Sequence, residues 1–159
     1  MPAPQKHLAM PLTWDEISLH AKSLALKLAD KGPWQGVIAI TTGGMVPACI
    51  IARHLGVKHI DTLCISSYDD QSQRKADVIK PATGAGDGTG WLVIDDLSDT
   101  GNTFRAARTL LPKAHYAALY AKPAGESAVD TYIMSVSTDT WLHFPWEENE
   151  ASYIAPSKG

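Results

Sequence analysis

Four short apolar runs, at residues 37–41, 59–67, 91–94 and 116–121, alternate with stretches of helical periodicity, and this alternation leaves few architectures open. Thr13-Trp14-Asp15-Glu16 has the form of a capping box; Trp14, Ile17, Ala21, Leu24, Ala25 and Leu28 then share one helical face until Lys31-Gly32-Pro33 stops it. Residues 45–55 read as a second helix, with Gly56 as its C-terminal cap. Phe104, Ala107, Arg108 and Leu111 give a third its period before Pro112. Strands separated by helices pack as an α/β fold, a mainly parallel twisted sheet flanked by helices, whose ligands gather beyond the carboxyl ends of the strands. Thr41-Thr42-Gly43-Gly44, Ser67-Tyr68, Asp95-Asp96 and Lys122 each follow the last apolar residue of a different predicted strand, so all four segments fall on one sheet edge.

Length supports one domain over residues 1–159, because 45% hydrophobic content supplies one ordinary core and little more. A net charge of −3 with scattered Lys and Arg provides no field for a nucleic-acid backbone, which excludes duplex binding. Cys49 and Cys64 lie inside apolar runs, with no Cys-x-x-Cys or His-Glu-x-x-His pattern, so both are expected as buried, reduced thiols. The first seven residues carry prolines where a signal peptide needs an apolar core, and no stretch approaches a membrane span, which points to the cytoplasm.

The chemistry concentrates in Trp91-Leu92-Val93-Ile94-Asp95-Asp96-Leu97-Ser98-Asp99-Thr100-Gly101-Asn102-Thr103. A buried strand surfaces at two carboxylates, which suit ribose hydroxyls or a Mg²⁺ ion, since that hard cation prefers oxygen ligands. Thr100, Gly101, Asn102 and Thr103 then open a helix whose free N–H groups and neighbouring hydroxyls suit a phosphate. Taken separately, Asp95-Asp96 could begin a plain loop, and Asp99 or Thr100 could cap the helix. Their union in one uninterrupted segment favours a phosphosugar site.

Residues 68–90 exceed the usual length of a connector, and their polar run through Arg74 and Lys75 to a glycine-rich end reads equally as a mobile lid or a plain loop. The core then spans about 14–122, and residues 123–159 form a small C-terminal hood, with a strand at 131–136 and an aromatic-rich turn at 141–146.

The segment 91–103 resembles the phosphoribosyl-pyrophosphate motif of the type I phosphoribosyltransferases: apolar run, two acids, small residues, Asp-Thr-Gly-x-Thr. Cys64-Ile65-Ser66-Ser67-Tyr68, Ala121-Lys122-Pro123-Ala124-Gly125 and Asp139-Thr140-Trp141-Leu142 extend the resemblance to bacterial members that act on 6-oxopurines, over nearly the whole chain. The resemblance implies purine salvage: transfer of a 5-phosphoribosyl group from phosphoribosyl pyrophosphate to N9 of guanine, xanthine or hypoxanthine. It implies Mg²⁺ as cofactor, held by Asp96, with Asp95 and Asp96 also at the ribose hydroxyls. The 5′-phosphate would rest on Asp99, Thr100, Gly101, Asn102 and Thr103, and pyrophosphate on Thr42, Gly43 and Arg74. Asp99 would be the general acid/base at purine N7, Lys122 the partner of O6, Trp141 a stacking platform, and Leu142 a carbonyl near the 2-substituent. It favours the lid over the plain loop, and implies a homotetramer, peripheral contact with the inner membrane face and a non-proline cis peptide at Thr41-Thr42.

Several of these residues have plainer readings. Lys122 could be a surface lysine before a turn, Trp141 a core aromatic, and Gly43-Gly44 only a bend. The chain also departs from its relatives, placing Thr42 where they carry an Arg before the two glycines; a hydroxyl can hydrogen-bond to phosphate but cannot neutralise it. Arg74 and Lys75 could compensate. Two other functions fit the residues, a hypoxanthine-guanine specificity and a regulatory protein that binds the donor without turnover.

Overall fold

The computed structural model describes residues 8–66 and 76–147. Among these the elements run β1 (Leu8–Pro11), α1 (Trp14–Ala29), β2 (Gly36–Ile40), α2 (Met45–Leu55), β3 (Ile60–Ser66) and β4 (Asp77–Lys80). They continue through β5 (Trp91–Ser98), α3 (Asn102–Leu110), β6 (His115–Ala121), β7 (Thr131–Ser135) and β8 (Thr140–His143). The main sheet has the order β4-β3-β2-β5-β6-β7. Only its β3–β4 pair is antiparallel. The expected architecture is therefore present, with β2 and β5 at its centre.

Strand residues alternate between two cores. Val37, Ala39, Leu92 and Ile94 pack with α1 and α2, whereas Ile38, Ile40, Val93 and Tyr116 pack with Phe104 and Ala107 of α3. Burial on both faces is why these strands read as continuous apolar runs. The Thr13–Glu16 capping box is formed, and Gly56 closes α2 in a left-handed conformation.

Several expectations need correction. Trp14 does not join the buried face of α1; it is 54% exposed, with its ring 6.1 Å from that of Trp146. Cys49 is exposed and Cys64 half-buried, because α2 turns Pro47, Ala48, Ile51 and Ala52 inward and leaves Cys49 outside. β7 belongs to the main sheet, parallel to β6, so the hood begins later than residue 123. The expected turn at 141–146 contains β8, which pairs in parallel with β1 as a separate two-stranded sheet. Within the stretch assigned to a lid, Asp77–Lys80 forms an edge strand, and Ala82 and Ala85 are buried. Arg74 and Lys75 lie outside the described residues.

Candidate active site

β5 does not stop at Ile94. It runs through both acids to Ser98, held by pairing of Asp95, Leu97 and Ser98 with Ala118, Tyr120 and Ala121 of β6. Aspartate disfavours strands, so here neighbouring pairing overrides local preference. Asp95 Oδ1 accepts the Asp96 N–H at 2.8 Å, and Asp96 Oδ1 accepts the Leu97 N–H at 2.7 Å.

The loop after β2 lies directly against these acids. A side chain at Gly44 would meet the Ile94 carbonyl oxygen at 2.3 Å, and one at Gly43 would meet the Asp96 carboxylate at 2.4 Å. The glycine pair is thus required by close approach and is more than a bend. The Thr41–Thr42 peptide is cis, as the resemblance implied.

Between this loop and β5 opens a cleft of about 370 Å³ lined by Thr41, Thr42, Gly43, Asp95, Asp96 and Thr103, with Ile40 and Ile65 behind and Trp146 and Glu147 from the hood. Burial pushes the Asp95 carboxyl well above the usual carboxylate range, and the neighbouring Asp96 charge raises it further. Burial also raises Asp96, with Glu147 adding like-charge repulsion. Three carboxylates therefore line the cleft, and no Lys or Arg does so among the described residues.

That charge balance calls for a cation, and oxygen donors suit Mg²⁺. Among the described residues no group of three or more His, Cys, Asp or Glu side chains could cage a metal by itself. Asp96 and Asp95 would accordingly share an ion with substrate oxygens and water, as that metal commonly allows.

The turn at 99–103 leads into α3. Its N-cap residue, Gly101, has no side chain to cap the helix, and the Thr100 hydroxyl accepts the Asn102 N–H at 3.3 Å. Asp99 is not the cap. Its recorded partner is Lys122, whose ammonium stands 3.6 Å from Asp99 Oδ1, with side chains 10% and 61% exposed respectively. At that distance the ammonium donors are not satisfied by Asp99. Lys122 is buried and faces the same sheet edge, contrary to the surface-lysine reading.

The hood supplies a mixed result. Trp141 is 57% exposed, with its ring 6.4 Å from that of His143, and it does not line the cleft. Leu142 buries its side chain in the core beside α1 and α2. The Leu8 N–H donates to the Asp139 carbonyl and the Leu12 N–H to that of His143, so odd-numbered residues of β8 face β1. Leu142, out of phase, turns its carbonyl away from β1.

Sequence reasoning missed Trp146 and Glu147 as walls of the cleft. The signal was weak: Phe144-Pro145-Trp146-Glu147 reads as a turn, and only folding shows Trp146 stacked on Phe144, 4.8 Å apart and 10° from parallel.

Comparison with known proteins agrees with this geometry. The family model for the phosphoribosyl transferase domain matches residues 12–152. A xanthine-guanine phosphoribosyltransferase of Nitratidesulfovibrio vulgaris strain Hildenborough is 50% identical over 147 residues, 92% of this chain and 88% of the relative. One from Desulfotalea psychrophila is 51% identical over 150 residues, covering 94% and 92%. Among solved structures, a purine phosphoribosyltransferase from Pyrococcus horikoshii superposes with a TM-score of 0.73 at 25% identity, covering 94% of this chain and 99% of that one. With its motif at the end of β5 and a match to the family along most of its length, the chain belongs to the phosphoribosyl transferase domain family.

Proposed function

We propose that this protein transfers the 5-phosphoribosyl group of phosphoribosyl pyrophosphate to N9 of a 6-oxopurine, guanine or xanthine foremost, and releases pyrophosphate. The observation that carries this reading is the Asp99–Lys122 pair, which lies outside the lining of the acidic cleft but on the same sheet edge, Asp99 three residues beyond Asp96. A 6-oxopurine presents O6 and N7 as neighbouring acceptors on one edge. In the N7–H tautomer that edge presents an acceptor beside a donor, which a buried ammonium beside a carboxylate matches: Lys122 donates to O6 while Asp99 takes the N7 proton, N9 bonds to C1′ and the bond from C1′ to pyrophosphate breaks. Adenine would set an amino donor against the ammonium, which disfavours it.

The difficulty of the reaction is charge. Positive charge develops on the ribosyl ring while negative charge accumulates on the leaving pyrophosphate. Asp95 and Asp96 stabilise the first and bind the ribose hydroxyls. Bound Mg²⁺ supplies positive charge that offsets the second. Thr100, Gly101, Asn102 and Thr103 hold the 5′-phosphate, Thr42 and Gly43 contact pyrophosphate, and Arg74 contributes a cation from outside the described residues. The Leu142 carbonyl lies near the 2-substituent, where it accepts from the amino group of guanine, and Trp141 offers its exposed ring as the stacking platform.

Assembly as a homotetramer belongs to the same reading, as does a cytoplasmic location with peripheral membrane contact; among the described residues no helix is long and apolar enough to cross a membrane. Initial rates with guanine, xanthine, hypoxanthine and adenine, each with donor and Mg²⁺, test the function. Turnover of 6-oxopurines without adenine is expected. Donor binding with no turnover of any base would replace the enzyme by the regulator.

A further inference from the structure

We propose that Arg105 is a positioning residue that locks the phosphate turn to the loop carrying Lys122, so that donor and purine are gripped by one rigid body. The proposal rests on the transferase reading above and deepens it. The turn at 99–103 leaves β5, and the loop at 122–128 leaves β6. At their roots the two are joined by the Lys122 N–H, which donates to the Ser98 carbonyl at 2.9 Å, and by buried Ser98 Oγ, which donates to the Gly125 carbonyl at 2.7 Å.

Nearer their tips the two are bridged by the Asp99–Lys122 pair and, through more bonds, by Arg105. From α3, Arg105 Nη1 donates to the Thr100 carbonyl at 2.9 Å and to Asn102 Oδ1 at 3.4 Å. Its Nη2 donates to the Ala124 carbonyl at 3.3 Å and to Ser127 Oγ at 3.4 Å. One nitrogen thus serves the phosphate turn and the other serves the purine loop. A planar fork can do this, whereas a lysine offers one point charge. All four acceptors are neutral, and among the described residues no carboxylate forms an ion pair with Arg105.

Arg105 is exposed and sits outside the cleft lining, so its influence on substrates passes through the backbone segments that it joins. Without it the segments keep the bonds at Ser98, the Asp99–Lys122 pair and the Arg108 bonds to the Ala128 carbonyl, but lose the direct bridge from Thr100 and Asn102 to Ala124 and Ser127. Each substrate would then have to order its own half of the site, which weakens binding in ground and transition states alike.

The test is initial-rate kinetics with phosphoribosyl pyrophosphate, guanine and Mg²⁺ on wild type, Arg105→Ala and Arg105→Lys, beside thermal melts. In Arg105→Ala, KM for donor and for purine should each rise about fivefold or more, with kcat changing less than about twofold and the melting temperature close to wild type. Arg105→Lys should not restore either KM. Unchanged KM values in Arg105→Ala, or full restoration by lysine, overturn the proposal. If wild type turns over no base, the transferase reading fails instead, and amide exchange then decides on Arg105. Faster exchange in both 99–103 and 122–128 of the Ala variant supports the lock, and unchanged exchange refutes it.

Discussion

Asp99 and Asp95 differ in what their surroundings ask of them. Asp99 is exposed, with its carboxyl 3.6 Å from the Lys122 ammonium, and so is open to a bound base. Asp99→Asn keeps the shape and removes the proton site, so kcat should fall by roughly 10²–10⁴-fold, the usual scale of general acid–base catalysis, with the fold intact by circular dichroism. Asp95 is held in a setting that resists its charge. Its carboxyl is raised above the ordinary 3.8, so its contribution to stability is full below about that pH and is lost as pH rises through the folded-state value. At neutral pH, without metal, the charged form therefore weighs against folding. Asp95→Asn retains an oxygen for the Asp96 N–H, so in chelator the variant should melt higher than wild type at pH 7.5. That advantage should shrink at pH 4, and transferase activity should be lost. Equal melting temperatures at pH 7.5 would show that the burial has no energetic consequence.

At the scale of elements, the turn between β2 and α2 makes two adjacent glycines answer to different neighbours. An alanine at Gly44 would run into the backbone carbonyls of Ile94 and Ile40, which cannot step aside without distorting both strands. Gly44→Ala should therefore destabilise the fold by several kcal/mol, on the order of 3 or more, read as a drop in the denaturant midpoint. An alanine at Gly43 meets only the Asp96 carboxylate, which can rotate. Gly43→Ala should thus stay folded and lose transferase activity. Such contrasts could not be read from Thr-Thr-Gly-Gly, which signals a turn and leaves its neighbours unnamed. Much else at this scale was legible: the bounds of α2, the capping box of α1 and the gathering of Gly43, Asp95 and Thr103 at one edge follow from periodicity and strand ends. β4 escaped because Asp77-Val78-Ile79-Lys80 is short and exposed throughout, with no alternation to betray it. β1 and β8 escaped because their partners lie at opposite ends of the chain and no local pattern encodes a parallel pairing of that kind. Trp141 was placed by its motif, but strand alternation in β8 turns it outward.

Across the whole molecule, aromatic packing is found beside the acidic cleft, at Phe144 and Trp146, and again at the opposite edge of the sheet. At the amino end of β6, His115 bonds Thr131 Oγ1 at 2.8 Å and meets the Trp34 ring edge-on at 5.5 Å. Burial lowers its pKa from 6.5; Asp130 opposes that shift, while Lys31 and Arg108 reinforce it. The unfolded chain accordingly binds a proton more readily, so the stability that His115 provides is full above about pH 6.5 and is lost as pH falls through the folded-state value. The denaturant midpoint should decline between pH 7.5 and 5.5, and more shallowly in His115→Gln; identical slopes would assign the decline elsewhere. The hood sheet has a consequence of another kind. β1 leaves the ribosome first among the described strands, and its partner β8 emerges last. A growing polypeptide can assemble βαβ layers as they appear. It must wait for β8 to emerge before β1 gains a partner, so a nascent or prematurely terminated chain would present the acids of β5 while the earliest strand still had a bare edge open to other chains.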